Sequence, residues 1–324
     1  MVVSAMRQGL HADLGVQVFW SSNTSPTETE AEANRIFNYA VWLGANSVGI
    51  DFNFYTNGDT PTYVYEEPAT TASPATIGLV IANARKHKLR VLVRPLLDED
   101  NLTGNAWRGS IHPKSVSQWF ASYSVFLAPY LEEAQQNDAS SFDVGAELES
   151  LTDDKPQWRT LDADAAKLFH GALSYAYNWG SWENRPPFAP APSTGVDAYP
   201  PFKLGDSATG PQLTLAWVHW LHSQSVKALR STVLQEVGIA PAAGAYTDPS
   251  KWAANGTRID EKIQQNWFSA ACDAAKETDV KGIYFYDVYN TDQPTEPIGL
   301  RSPTGSFVDI SDMTIRACFD SGWS

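Results

Sequence analysis

Long apolar runs are missing from this 324-residue chain. None approaches the ~20 residues that cross a bilayer, so no membrane partner is expected. Cysteine is scarce, at 2 residues, too few for the disulfide framework of a small secreted scaffold. Positive charge is short as well: 23 Lys and Arg face 37 Asp and Glu, a net charge of −14. Such a field repels phosphate backbones and argues against a nucleic-acid partner. The 6 His show no His-x-His or His-Glu-x-x-His spacing, so no metal site is expected. Gly-x-Gly-x-x-Gly, a phosphate loop and a Gly-x-Ser-x-Gly elbow are all missing. Nucleotide-cofactor and serine-hydrolase readings fall away, and no cofactor is expected.

What is plentiful is aromatic. With 12 Trp, 13 Tyr and 14 Phe, aromatics reach 12% while charged residues are held to 19%, the reverse of a disordered chain. Trp and Tyr on an acidic chain suit stacking on neutral, hydroxyl-rich ligands, although packing alone accounts for many of them. The amino-terminal stretch lacks the apolar core of a secretory signal; the chain is either cytoplasmic or starts after a removed leader. Cys272 falls on the apolar stripe of an expected helix and reads as a small packed hydrophobe, a bond to Cys318 being left open. Oligomeric state is left open too.

Short apolar runs recur at 16–20, 47–54, 90–97, 142–148, 172–179, 195–199, 232–238 and 282–288. Several do not alternate, as strands buried on both faces need not. The fifth is the least distinctive, because its aromatics fit a helix equally well. Amphipathic helices fill the gaps. Ser25-Pro26-Thr27-Glu28 has capping-box order with Pro at the first helical position, and Ile36, Phe37, Ala40 and Leu43 follow at helical spacing. Ser73-Pro74 opens a second helix. A third carries Trp119, Phe120, Tyr123, Phe126, Leu127 and Tyr130 on one face, with Pro129 expected to kink or divide it. Later helices are expected over 213–229 and 260–276. Pro/Gly-rich stretches at 185–194 and 239–249 read as loops above a barrel. Strand–helix alternation repeated eight times predicts an α/β fold, a single (β/α)8 TIM barrel forming one domain over 1–324.

In such a barrel the active site lies at the carboxyl-terminal strand ends. Strand four closes in Val144-Gly145-Ala146-Glu147-Leu148-Glu149, and strand seven in Leu234-Gln235-Glu236-Val237-Gly238. A carboxylate there is costly to desolvate unless it is used or paired. Two facing across one opening suit glycosidic-bond cleavage, where one protonates the leaving oxygen and the other attacks. Either alone could instead pair with an arginine at the rim. Alternation along a strand puts Glu147 and Glu149 on one face, so periodicity does not choose between them. Asn53 and Asp51 close strand two, where they could bond sugar hydroxyls or cap a loop. Trp20, Phe54, Tyr55, Trp107 and Trp182 are candidate stacking platforms. A lyase or isomerase working through a lysine has only Lys203 near a strand end.

One ordered set of segments is more specific. His87-Lys88-Leu89-Arg90-Val91-Leu92-Val93-Arg94-Pro95, Trp107-Arg108-Gly109, Trp119-Phe120 with Tyr123, and Val144-Gly145-Ala146-Glu147-Leu148 come first. Val196-Asp197-Ala198-Tyr199-Pro200, Gln235-Glu236-Val237-Gly238, Gln264 to Trp267 and Gly282-Ile283-Tyr284-Phe285-Tyr286 follow. Over roughly residues 14–290 this resembles the family-113 glycoside hydrolases, retaining β-mannanases of the TIM-barrel clan with glutamates on strands four and seven. The resemblance implies an oligo- or polysaccharide substrate, Glu147 as acid/base and Glu236 as nucleophile. Tyr199 falls where the clan often has an aromatic residue near the nucleophile, and its hydroxyl could hold Glu236, or simply pack. Arg94 could support the nucleophile or grip a sugar hydroxyl; the alternative is an ion pair with Asp98 or Glu149.

Two positions depart from the pattern. Ala146 stands where much of the clan has an Asn bonding the sugar 2-hydroxyl. Tyr286, followed by Asp287, replaces the last-strand Trp that floors the −1 subsite. Both touch the sugar at the cleavage point, which leaves room for another hexose, an amino sugar or a pentose. They also favour the rival reading, a catalytically silent carbohydrate-binding barrel, against which the two retained glutamates weigh.

Overall fold

A computed structural model describes residues 12–183, 190–251, 258–290 and 310–323. Its strands are β1 (Asp13–Phe19), β2 (Ser47–Thr56), β3 (Val64–Tyr65), β4 (Arg90–Leu97), β5 (Ser141–Ala146), β6 (Ala172–Asn178), β7 (Ser193–Asp197), β8 (Thr232–Val237) and β9 (Gly282–Tyr289). All but β3 pair in parallel in chain order, and β1 pairs with both β2 and β9, closing the ring. β3 is an antiparallel appendage on the end of β2, with Tyr55 opposite Tyr65. The eight sequence-predicted strands are therefore the staves of a closed parallel barrel, a (β/α)8 TIM barrel, in which no ladder edge is left open.

Helices pack outside. They are α1 (Pro26–Leu43), α2 (Pro74–Lys86), α3 (Val116–Gln136), α4 (Lys155–Leu168), α5 (Trp179–Glu183), α6 (Gly210–Leu221), α7 (Val226–Leu229), α8 (Glu261–Glu277) and α9 (Ile310–Asp320). The capping box at α1 forms as the sequence reads it: Ser25 accepts from the Glu28 amide and Glu28 reaches back to the Ser25 amide. Pro129 lies inside α3 without dividing it. Side chains buried on both sides of Pro129, from Trp119 to Ala134, hold the helix to the barrel. Among the described residues no helix is long and apolar enough to cross a membrane.

The fifth run is a strand because its aromatics alternate. Tyr175 points outward to meet Trp158 of α4 edge-on at 5.3 Å, while Ser174 turns inward and donates to Asp143. Among the described residues, Trp119, Trp158, Trp217, Trp220 and Trp267 belong to this outer shell. Trp217 packs on Trp267 at 4.8 Å, and Phe52 stacks on Tyr130 at 4.4 Å.

Three expectations are corrected. Strand four stops at Ala146; Glu147 has a left-handed backbone (φ 53°), and Glu149 opens a 3-10 turn, Glu149–Leu151. Strand alternation therefore does not relate the two glutamates. Cys272 is buried, but it is also bonded to Cys318, joining α8 to α9. The 213–229 helix is two, α6 and α7, separated by a turn after Leu221. Of the 185–194 loop, residues 185–189 lie outside the described residues.

Candidate active site

The carboxyl-terminal strand ends open into a cleft of about 450 Å³ that Glu147 and Glu236 both line. Trp107, Tyr199 and Tyr286 line it as well. So do Arg108, Asn178 and Trp179, to which sequence reasoning gave no role. A cavity at the other end of the barrel, near Asp13, Ser47 and Ser140, holds no such pair of glutamates.

Glu236 is aimed by a bulge. The β7–β8 register shifts between Val196 and Asp197, so Gln235 and Glu236 both turn inward. Gln235 Nε2 donates to Asp143 Oδ1 at 3.0 Å. Gly195 makes room for it, since a Cβ there would lie 1.9 Å from Gln235 Oε1. Glu236 then presents Oε1 to Arg94 Nη1 at 2.9 Å and Oε2 to the Tyr199 hydroxyl at 2.8 Å. With one donor on each oxygen, the carboxylate has a fixed plane and direction.

Arg94 is fully buried beneath the cleft, so it does not reach a sugar hydroxyl. Its partners are neither Asp98 nor Glu149. It donates to Asp143 Oδ2 at 3.0 Å, to both Asp197 oxygens at 2.8 and 3.0 Å, and to Asp51 Oδ1 at 3.4 Å. One guanidinium among four carboxylates cannot neutralise them all, and a dry interior penalises the surplus charge. Burial accordingly pushes the Asp51 carboxyl up to about 8, Arg94 opposing, and raises Asp143 and Asp197 as well.

Glu147 has a different setting. Asn178 Nδ2 donates to its Oε1 at 2.8 Å, and Arg108 Nε lies 3.9 Å from its Oε2. Burial raises its pKa; the Arg108 charge opposes this and the Glu236 charge adds to it. Glu149 sits behind the cleft wall rather than on it. Its Oε1 accepts from the Asn178 amide at 2.8 Å, and a Cβ on Gly109 would lie 2.5 Å from its Oε2. Burial, then the charge of Glu147, push it up to about 7.

The remaining candidates divide by depth. Tyr286 meets Tyr199 edge-on at 6.5 Å and faces the cleft, whereas Asp287 is fully buried. Asn53 does not line the cleft; its Nδ2 donates to Asp98 Oδ2 at 2.6 Å, tying the β2 end to the loop after β4. Trp20 is only 1% exposed and Trp182 is fully buried, its ring tilted against Trp220 at 4.8 Å, so both pack the core instead of offering a face to a sugar. Phe54 packs on Tyr123 at 5.1 Å, and the Tyr55 hydroxyl meets Thr70 at 2.7 Å. Trp107 alone of the proposed platforms reaches the cleft, carried by the loop that also delivers Arg108. The Trp-Arg-Gly run was legible as a segment, but nothing in its spacing showed that Arg108 faces Glu147.

The sequence model of Glycoside Hydrolase Family 113 matches residues 19–297. The chain belongs to this family. Members of Glycoside Hydrolase Family 113 are also found among similar solved structures. One is a family-113 β-1,4-mannanase, 18% identical, covering 96% of this chain and 99% of its own, with a TM-score of 0.78. Another is the family-113 β-mannanase of Alicyclobacillus acidocaldarius, 18% identical, covering 97% and 98%, at 0.77. The endo-β-1,4-mannanase of Thermotoga petrophila is more distant, 11% identical over 97% and 77%, at 0.62. At these identities the structures establish a shared barrel; the family match makes the chain a glycoside hydrolase whose substrate is an oligo- or polysaccharide. Comparison with curated protein sequences finds no match.

Proposed function

We propose that this family-113 enzyme is a retaining glycosidase acting on a β-mannan-type backbone, with Glu147 as acid/base and Glu236 as nucleophile. The observation that carries the reading is the contrast between two glutamates on one cleft. Glu236 is oriented by Arg94 and Tyr199, whereas burial favours the protonated form of Glu147. In the first step Glu147 gives its proton to the glycosidic oxygen as the C1–O bond breaks. A Glu236 oxygen forms the new bond to C1. Water then attacks C1, passing a proton to Glu147 and releasing Glu236, so the anomeric configuration is kept. Trp107 and Tyr286 supply faces for the sugar rings.

The named activity of the structurally similar enzymes supports mannan as the backbone. The family resemblance puts Ala146 and Tyr286 beside the −1 sugar, so the assay panel includes glucan, xylan and aminosugar substrates beside mannan. Glu147→Gln and Glu236→Gln are each expected to lower kcat ~10³-fold or more with the fold intact. Full activity in Glu236→Gln would sink the assignment. NMR of the first sugar released from a β-linked substrate is expected to show the β-anomer; the α-anomer would overturn retention.

A further inference from the structure

Asn178, the last residue of β6, is pinned at three points. Its backbone amide donates to Glu149 Oε1 at 2.8 Å. Its side-chain Oδ1 accepts from the Gly180 amide at 2.9 Å. Its Nδ2 donates to Glu147 Oε1 at 2.8 Å. The second bond fixes the third. A backbone N–H can only donate, so the side-chain atom facing Gly180 must be the oxygen and the one facing Glu147 must be the nitrogen. Glu147 Oε1 therefore meets a donor and cannot carry a proton along that line. The proton of the neutral acid belongs on Oε2, the oxygen on the Arg108 side of the cleft.

Resting on the acid/base assignment above, we infer that Asn178 is a positioning residue that places the catalytic proton on one oxygen of Glu147 and sets its titration. Ala146, the residue just before Glu147, has no side-chain donor to offer it. Asn178 reaches Glu147 from the neighbouring strand. It bonds the carboxyl itself, so its effect falls on proton transfer. Groups that act on Glu147 from the surrounding elements are Arg108 of the β4–α3 loop, Arg94 of β4 and Glu236 of β8. The charge of Glu147 in turn acts on Glu149 of the turn after β5 and on Asp197 of β7. Among these Asn178 is the neutral donor that selects an oxygen.

A donor on Oε1 stabilises the carboxylate, so its loss raises the pH at which Glu147 gives up its proton. In Asn178→Ala the alkaline limb of kcat/KM is expected to move up by about 0.5–1 pH unit. On mannan, whose leaving group needs a proton, kcat/KM is expected to fall ~10–100-fold. On a dinitrophenyl glycoside, whose leaving group needs none, it is expected to fall less than about threefold. Asn178→Asp keeps the Gly180 anchor but turns an oxygen toward Glu147, so its limb moves further in the same direction. It serves as the readout if the alanine variant folds poorly. An unmoved limb in both variants, or equal losses on both substrates, overturns the inference. Azide with Glu147→Ala tests the underlying assignment separately: formation of a glycosyl azide supports it, and undiminished mannan hydrolysis in that variant overturns it whatever Asn178 does.

Discussion

At the scale of single residues, the barrel interior is organised around one cation. Arg94 faces Asp51, Asp143, Asp197 and Glu236 with no exposed surface of its own. Removing one member of a buried charge network strands the others, and the cost exceeds what the bridge itself contributes. Arg94→Met is therefore expected to lose ~3–5 kcal/mol in urea unfolding. It also loses the donor that aims Glu236, so activity falls even where the variant remains folded. A variant as stable as the parent would mean that the carboxylates are held by other means.

Glu149 makes the complementary case, a buried carboxyl whose charge the fold resists. Its pKa lies at about 7 against an ordinary 4.5. Because the folded value is the higher one, its contribution to stability is complete below the unfolded pKa and is lost as pH rises through the folded one. Asp51 acts in the same direction over a wider window and is common to both proteins compared. Glu149→Gln keeps the acceptor for the Asn178 amide and cannot ionise. Its melting temperature relative to the parent is expected to rise between pH 5 and pH 8, read by thermal unfolding at both. Parallel curves would refute the desolvation argument.

At the scale of elements, the bulge in β8 is what brings Glu236 and its supporting donors into one place. An unbroken strand would alternate, sending either Gln235 or Glu236 outward. Gly195 on β7 permits the bulge by leaving space for the Gln235 amide. In Gly195→Ala the added methyl must displace that amide from Asp143, and Glu236 moves with its neighbour. A loss of about 1–3 kcal/mol is expected, with a fall in kcat larger than any change in KM. Unchanged kinetics would show that Glu236 is positioned independently of Gln235.

This same bulge marks the limit of what the sequence reveals. Eight apolar runs separated by amphipathic ones specify a parallel barrel, because burial on both faces is written into composition. Glu147 and Glu236 stand out because carboxylates are rare at the close of such runs. A left-handed Glu147 and two successive inward residues on β8 leave no periodic trace. The partners of Arg94 were likewise illegible: Asp143 sits within an apolar strand, and its pairing is set by register across the barrel. Asn178 lacked any signal, being one amide at the end of the least distinctive strand.

At the scale of the whole molecule, the barrel closes through hydrogen bonds between β1 and β9, but the ring of helices outside it must be closed by packing. α9 does this. It lies against α8 and also reaches α1, where the Tyr39 hydroxyl donates to Asp312 and Arg316 Nη1 donates to the Trp42 carbonyl at 2.7 Å. The bond between Cys272 and Cys318 fastens α9 to α8 across 46 residues of chain. Cross-linking ends that far apart restricts the unfolded ensemble by about 4 kcal/mol in the chain-entropy account. Neither cysteine lines the cleft, and the family match ends at residue 297, before Cys318. The bond thus belongs to the closure of the shell, separate from the chemistry. Replacing both cysteines with serine is expected to lower unfolding stability by up to that amount while kcat and KM at 25 °C stay as they were. Reductant is expected to lower the melting temperature of the parent and leave that of the double variant alone. If the double variant instead loses activity while folded, the outer ring of helices constrains the cleft, and the separation of shell from site fails.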